Sequence, residues 1–429
     1  MITGAKVMLW GESVGAVLWL EERNAAVFEF DKKYINEGFD ISPIKMPLSE
    51  ARKGNSKFIF SDLSRETFKG LPGLLADSLP DRYGNKIINE WLARQGRDES
   101  SVNPVERLCF VGRRGMGALE FEPAIKPFSA GKSENLEINE LLKVVNEILN
   151  EKKKVKADLK DEKELRTIIK IGTSAGGARA KAIISFNKET NKIKSGQLDN
   201  QDGYESWIIK FDGVHGSNLG DPEGYGRIEF TYYEMAKLCG INMSECRLLE
   251  ENNRAHFMTK RFDRIGNDKI HLHSLCGIAH YDYNNPNVYS YEQAFFVMRN
   301  LRIPHNETEQ LYRRMVFNVI ARNQDDHTKN ISFLMNRDGE WHLAPAYDLT
   351  YACNPGSRWT NRHQLSVNGK REGITAVNLI ETAKSINVKR YKKIIDEVNQ
   401  GIKSWDQLAE KNAVKEEQIR EIKRNFIKI

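Results

Sequence analysis

The chain has 429 residues, 40% hydrophobic and 29% charged, which is enough to bury large cores in two or three domains. A net charge of +6 tolerates a polyanionic partner without requiring one. No run reaches the roughly 18 apolar residues of a membrane span, the first residues lack the charged region and cleavage site of a signal peptide, and Cys109, Cys239, Cys246, Cys276 and Cys353 form no CxxC pair. This argues for a reducing cytoplasm, with no disulfide frame and no zinc site.

Val7 to Leu20 reads as a hairpin turning at Gly11-Glu12-Ser13, and Ala26–Phe30 and Phe58–Phe60 continue a small sheet. In the following segment Ile87, Ile88, Trp91 and Leu92 share one helical stripe, with Gly96 as the stop. Residues 104–123 predict a helix or turn entering a last strand, with Arg113 and Arg114 in a Gly-flanked turn and solvated rather than anion-bound. Residues 124–135 read as a linker. Ile138, Leu141, Leu142, Val145 and Leu149 mark an amphipathic helix, and 151–170 is a mixed, solvated charge run.

Residues 171–186 bring a Gly-rich loop, with Ser174, Gly176 and Gly177 before Lys181, feeding a strand at Ala182–Phe186. Glycines let backbone N–H groups approach phosphate oxygens and a lysine adds fixed charge. The loop is not a Walker A motif, which needs a following helix, and a plain hairpin turn stays open as its alternative. Lys210 sits in the strand SWIIKF, where burial is costly without a partner. Glu229, on a helix starting near Arg227, is the chosen partner. Residues 256–264 predict a strand running into a turn. From Asn267 onward the pattern reads as helical, and the tail 404–426 as a packed helix pair.

The densest signal is RNQDDHTKN, residues 322–330. Asp325 precedes Asn330 by five positions and Asp348 follows Asp325 by 23. This is the spacing of a phosphoryl-transfer centre: one Asp takes the proton of an acceptor hydroxyl, and an Asn and a later Asp hold Mg²⁺ against ATP phosphates. The HRD and DFG triplets of protein kinases are absent, and Tyr347-Asp348-Leu349 stands in place of the second.

TSAGGARAK, IIKF, KRFDR, DDHTKN and APAYDL together make the chain resemble the HipA-family serine/threonine kinases, the toxins of bacterial HipA–HipB toxin–antitoxin modules. The resemblance runs over essentially the whole length. It implies an α+β, bilobed protein-kinase-like fold, with a mixed β-rich N-terminal lobe and a mainly α-helical C-terminal lobe. The implied divisions are 1–125 as the HipA N-terminal α/β subdomain, 126–262 as the small-lobe elements and 263–429 as the helical lobe. It implies Asp325 as catalytic base and Asn330 with Asp348 as Mg²⁺ ligands. Gly176, Gly177, Ala178, Arg179, Ala180 and Lys181 would cover the ATP phosphates, and Lys210 would contact them. Lys260, Arg261 and Phe262 would form the adenine linker, with His327, Lys329, Asn330, Tyr347 and Asp348 lining the nucleotide. Ser174 would be autophosphorylated. The implied partners are a helix-turn-helix antitoxin of HipB type, a protein substrate that in some members is an aminoacyl-tRNA synthetase, and operator DNA only through the antitoxin. Lys260 departs from the acid at that position in the best-known type. The reading that follows is an ATP–Mg²⁺-dependent protein kinase acting as a growth-inhibiting toxin. Its rivals are a small-molecule kinase on the same scaffold and a non-catalytic nucleotide-binding corepressor.

Overall fold

Alternating apolar residues build the first sheet of the computed structural model, which describes residues 2–80, 82–125, 180–196, 200, 202–215, 218–219 and 223–429. Strands β1 (Gly4–Leu9) and β2 (Glu12–Leu20) form the expected hairpin, but its turn is Trp10-Gly11, with φ of 52° and 87°. Two consecutive positive φ values give the backbone twist that two-residue hairpins prefer. Adding β3 (Ala25–Phe30), β4 (Lys57–Ile59) and β5 (Leu119–Glu122) gives an antiparallel sheet ordered β4-β3-β2-β1-β5. Val7, Val17, Phe28 and Phe121 are buried on it.

Two helices follow, the first on the stripe read in the sequence. Helix α1 (Arg82–Arg94) buries Ile87, Ile88 and Leu92. Helix α2 (Pro104–Val111) starts with Pro at its first position and Asn103 accepting from the Glu106 amide, both ordinary start signals. The second sheet is ordered β9-β10-β8-β6-β7, with β6 (Lys181–Phe186), β7 (Ile193–Ser195), β8 (Glu205–Lys210), β9 (Cys246–Glu251) and β10 (Arg254–Lys260). Ile87, Ile88, Leu92 and Phe110 share one core with Ala182, Ile184, Trp207 and Ile209, so the helices of the N-terminal segment and the second sheet stabilise each other. Arg114 is buried and donates to the Phe110 carbonyl, which corrects the expectation that it is solvated; Arg113 is exposed and pairs with Glu120 and Glu122.

The chain divides into two units. One comprises Met1–Ser42, Met46–Glu223 and Leu249–Leu272; the other Pro43–Lys45, Gly224–Leu248 and His273–Ile429. The second is mostly helical: α3 (Tyr225–Leu238), α4 (Tyr291–Asn300), α5 (His305–Ile320), α6 (Ala376–Ser385), α7 (Tyr391–Ile402), α8 (Trp405–Lys411) and α9 (Glu416–Asn425). Its hairpin is β11 (Ser332–Met335) with β12 (Trp341–Leu343). Helix α4 begins with a capping box between Ser290 and Gln293. Helix α5 is buried from Leu311 to Ile320, so the chain leaving its C-terminus starts from a fixed point. Helices α8 and α9 pack as a pair, the Trp405 indole N–H donating to the Ile419 carbonyl at 3.1 Å. The segment after Asn267 is not wholly helical: Asp268–Lys269 and His271–Ser274 are short strands. Among the described residues no helix is long and apolar enough to cross a membrane.

Candidate active site

The catalytic-loop candidates follow α5 directly. Tyr232 of α3 donates from its hydroxyl to the Ala321 carbonyl at 2.6 Å. The Gln324 and Ala352 amides exchange hydrogen bonds with the Ala352 and Arg322 carbonyls at 3.0 and 3.1 Å. The loop that carries Asp325 is thereby tied to the segment that follows Asp348. Residues 328–330 close a single 3₁₀ turn, and the Asn330 side-chain amide donates to the Asp325 carbonyl at 2.8 Å. The D-x4-N spacing is thus a closed local ring, with the Asp325 side chain 46% exposed.

Beneath that ring stands a polar relay that sequence reasoning did not single out. Asp326, 3% exposed, accepts from the Tyr291 hydroxyl (2.9 Å), His363 Nδ1 (2.9 Å) and the Gln364 amide (2.7 Å). Asn323 donates to Asn318 at 3.0 Å and Asn318 to Tyr291 at 2.9 Å, so the donors run in one direction towards the buried carboxylate. A buried carboxylate is retained only when its lone pairs are met. The doubled acid of the motif was the available signal; the partners were not visible locally.

Asp348 lies at φ 52°, in the left-handed region that a non-glycine residue enters at a cost of about 1 kcal/mol. Tyr347 holds the same turn: its hydroxyl donates to the Lys329 carbonyl and therefore accepts from Ser332, both at 2.6 Å. One pocket is lined by Asn323, Asp326, Asn330, Tyr347 and Asp348. The Asn323 side-chain carbonyl is buried there without a hydrogen-bond partner among the described residues. With the Asn330 amide nitrogen spent on Asp325, oxygen is what Asn330 has left to offer. Amide and carboxylate oxygens are the donors that Mg²⁺ takes, in small number and with retained water; the residues fit that ion. His327 Nε2 stands 3.9 Å from the Asp325 carboxylate, and its ring lies 5.5 Å from that of Tyr283, which Lys329 also covers at 5.0 Å.

The first unit carries the two candidate lysines and the linker candidate. Lys181 and Lys210 are direct cross-strand partners on β6 and β8, and Lys210 also faces Phe257 on β10. Lys181 is buried and Lys210 half-buried. The Phe211 amide donates to the Ala180 carbonyl at 3.0 Å. Ser174, Gly176, Gly177, Ala178 and Arg179 lie outside the described residues.

In the linker candidate, Lys260 pairs through its side chain with Glu205, and the Arg261 amide donates to the Ser206 carbonyl at 2.9 Å. The Arg261 side chain is buried in a bidentate pair with Asp263, at 2.9 and 2.7 Å. Phe262 is half-buried. Glu229 is buried on α3 of the second unit.

Residues 5–122 match the family model of the HipA N-terminal domain, and residues 173–406 that of the HipA-like C-terminal domain. Among solved structures, the HipA, HipB and operator DNA complex of the Shewanella oneidensis MR-1 toxin antitoxin system is 16% identical, covering 98% of this chain and 94% of that one with a TM-score of 0.66. This is a likeness of fold. The proinflammatory kinase CtkA of Helicobacter pylori is 13% identical over 46% of this chain and 91% of its own, with a TM-score of 0.27, too low to argue from. No curated protein matches the chain. By its two matching domains, the chain belongs to the HipA family.

Proposed function

We propose that the chain is an ATP- and Mg²⁺-dependent serine/threonine protein kinase of bilobed, kinase-like design and the toxin of a two-component module. The observation that supports this most is the closed Asp325–Asn330 ring with Asp348 lining the same pocket as Asn330. In this reading Asp325 orients the acceptor hydroxyl and takes its proton, which its partial exposure permits. Asn330 and Asp348 hold Mg²⁺, which supplies neutralisation of charge on the phosphate oxygens. The opposed Lys181 and Lys210 stabilise the transferring group. The backbone of Lys260–Phe262 receives the adenine, with its side chains otherwise engaged. A HipB-type helix-turn-helix antitoxin restrains the toxin and carries it to operator DNA, as the components of the Shewanella complex suggest. Phosphorylation of Ser174, adding roughly −1.5 to −2 charge, limits the enzyme itself.

Incubation with Mg²⁺ and γ-³²P-labelled ATP is expected to label protein, including a peptide containing Ser174. An aminoacyl-tRNA synthetase is the first added substrate to assay. Label appearing only on a small molecule would assign the scaffold to metabolite phosphorylation instead.

Asp348→Asn is expected to weaken ATP binding in the presence of Mg²⁺ much more than in its absence, because the substitution removes a metal-ligand charge and no base contact. Titration calorimetry with and without Mg²⁺ checks this. Equal losses under both conditions would count against Asp348 as a ligand.

A further inference from the structure

The Asp326 network does more than brace the catalytic loop, because one of its members also holds an exposed, cationic loop. Gln364, whose amide donates to Asp326, also donates through its side chain to the Trp359 carbonyl. Trp359 belongs to a tightly bonded loop: the Asn354 amide donates to the Thr360 carbonyl at 3.0 Å and the Trp359 amide to Ser357 Oγ at 3.1 Å. Trp359 is 38% exposed, and the Arg358 guanidinium stacks over its ring at 5.1 Å. Arg362 is exposed as well. Among the described residues neither Arg358 nor Arg362 forms an ion pair. From 354 to 372 the bases are Arg358, Arg362, Lys370 and Arg371, against Glu372 alone. Arg371 donates to the Tyr289 carbonyl at 2.8 Å and to the Gln364 carbonyl, which anchors a further base to the residue whose amide meets Asp326.

We propose that Arg358, Trp359 and Arg362 form a docking platform for acidic segments of the protein substrate, beside the acceptor serine or threonine. This rests on the reading of Asp325 as the base of a phosphoryl-transfer centre, and it specifies the class of acceptor. Exposed aromatic and Arg side chains are the types that anchor interfaces, and here the anchors sit on a loop held by buried bonds. Nucleic acid fits less well. A phosphate backbone is read by a broad basic stripe, whereas this patch is short, carries Glu372, and belongs to a chain of modest net charge, +6.

The test uses fluorescence anisotropy at low salt, with a labelled peptide of one serine flanked by glutamates, its lysine counterpart and a single-stranded oligothymidylate. The glutamate peptide is expected to bind the full chain best. Its affinity should fall at least about tenfold in the Arg358→Glu/Arg362→Glu variant, where like charges face the ligand, and raised salt should weaken it. Trp359→Ala, which keeps both charges, should cost about two- to fivefold and carries the test if the double variant does not fold. Equal binding of both peptides, or a glutamate peptide bound undiminished by the variants, would overturn the proposal. So would binding in which only the oligonucleotide responds to them. The readout needs no turnover. A chain that bound the acidic peptide yet transferred no phosphate would sink the kinase assignment and leave the platform standing.

Discussion

Asp325→Ala is expected to lower phosphoryl transfer by about 10²–10⁴-fold, the ordinary contribution of a general base, with the fold and ATP binding retained. The geometry explains why the losses separate. The carboxylate is 46% exposed, so truncating it opens no cavity in the core. The Asn330 hydrogen bond goes to the Asp325 backbone carbonyl, so the loop keeps its closed ring without the side chain. Its neighbour makes the contrast. Asp326 is buried and meets three donors, so Asp326→Ala should damage the fold through unsatisfied polar groups rather than the chemistry alone. The measurement is the initial rate of ³²P transfer, alongside the ATP dissociation constant and a circular dichroism melt for each variant. Wild-type-like transfer by Asp325→Ala would remove the residue from the role of base.

What could be read from the sequence was local. The β1–β2 hairpin, the Ile87-Ile88-Leu92 stripe and the D-x4-N spacing each lie within one or two turns of chain, where period and spacing are set by backbone geometry. Family motifs extended this to the order of the site residues. Contacts between distant positions stayed hidden. Asp326 meets Tyr291 and His363 at separations of 35 and 37 residues, and nothing in either neighbourhood announces the pairing. Lys181 lies opposite Lys210 only because of the register of two strands that are separated in the chain by β7 and its connections. Arg114 looked solvated because its Gly-flanked surroundings are polar, yet it is packed under α2 with a carbonyl to satisfy it. His271–Ser274 went unseen as a strand because its polar side chains, two of them buried histidines, break the usual apolar alternation.

Asp263→Ala is expected to destabilise the first unit by about 3–5 kcal/mol, the usual cost of leaving buried charges without their partner. Asp263 is fully buried and accepts from Arg261, from Arg264 at 2.8 Å and from the Gly117 amide at 2.7 Å. The two arginines also donate to the Gly115 and Gly117 carbonyls, so the carboxylate holds the linker strand against the turn that leads into β5. Removing it leaves two buried guanidinium groups facing each other, a large loss for folds stable by only about 5–15 kcal/mol. Burial pushes this carboxyl's pKa up, but Arg261 and Arg264 overcome it and hold the group below the usual carboxylate range. A depressed folded-state value means that the stabilisation is fully present above the unfolded value, about 3.9. It is lost as pH falls below that value towards the folded one. Urea denaturation at pH 7 should therefore show the full gap between wild type and variant, and the gap should narrow below about pH 4 as only the wild type takes up this proton. A gap under 1 kcal/mol at neutral pH, on the scale of an ordinary exposed pair, would mean that Asp263 does not hold the linker. A gap unchanged in acid would mean that its charge is not what stabilises the site.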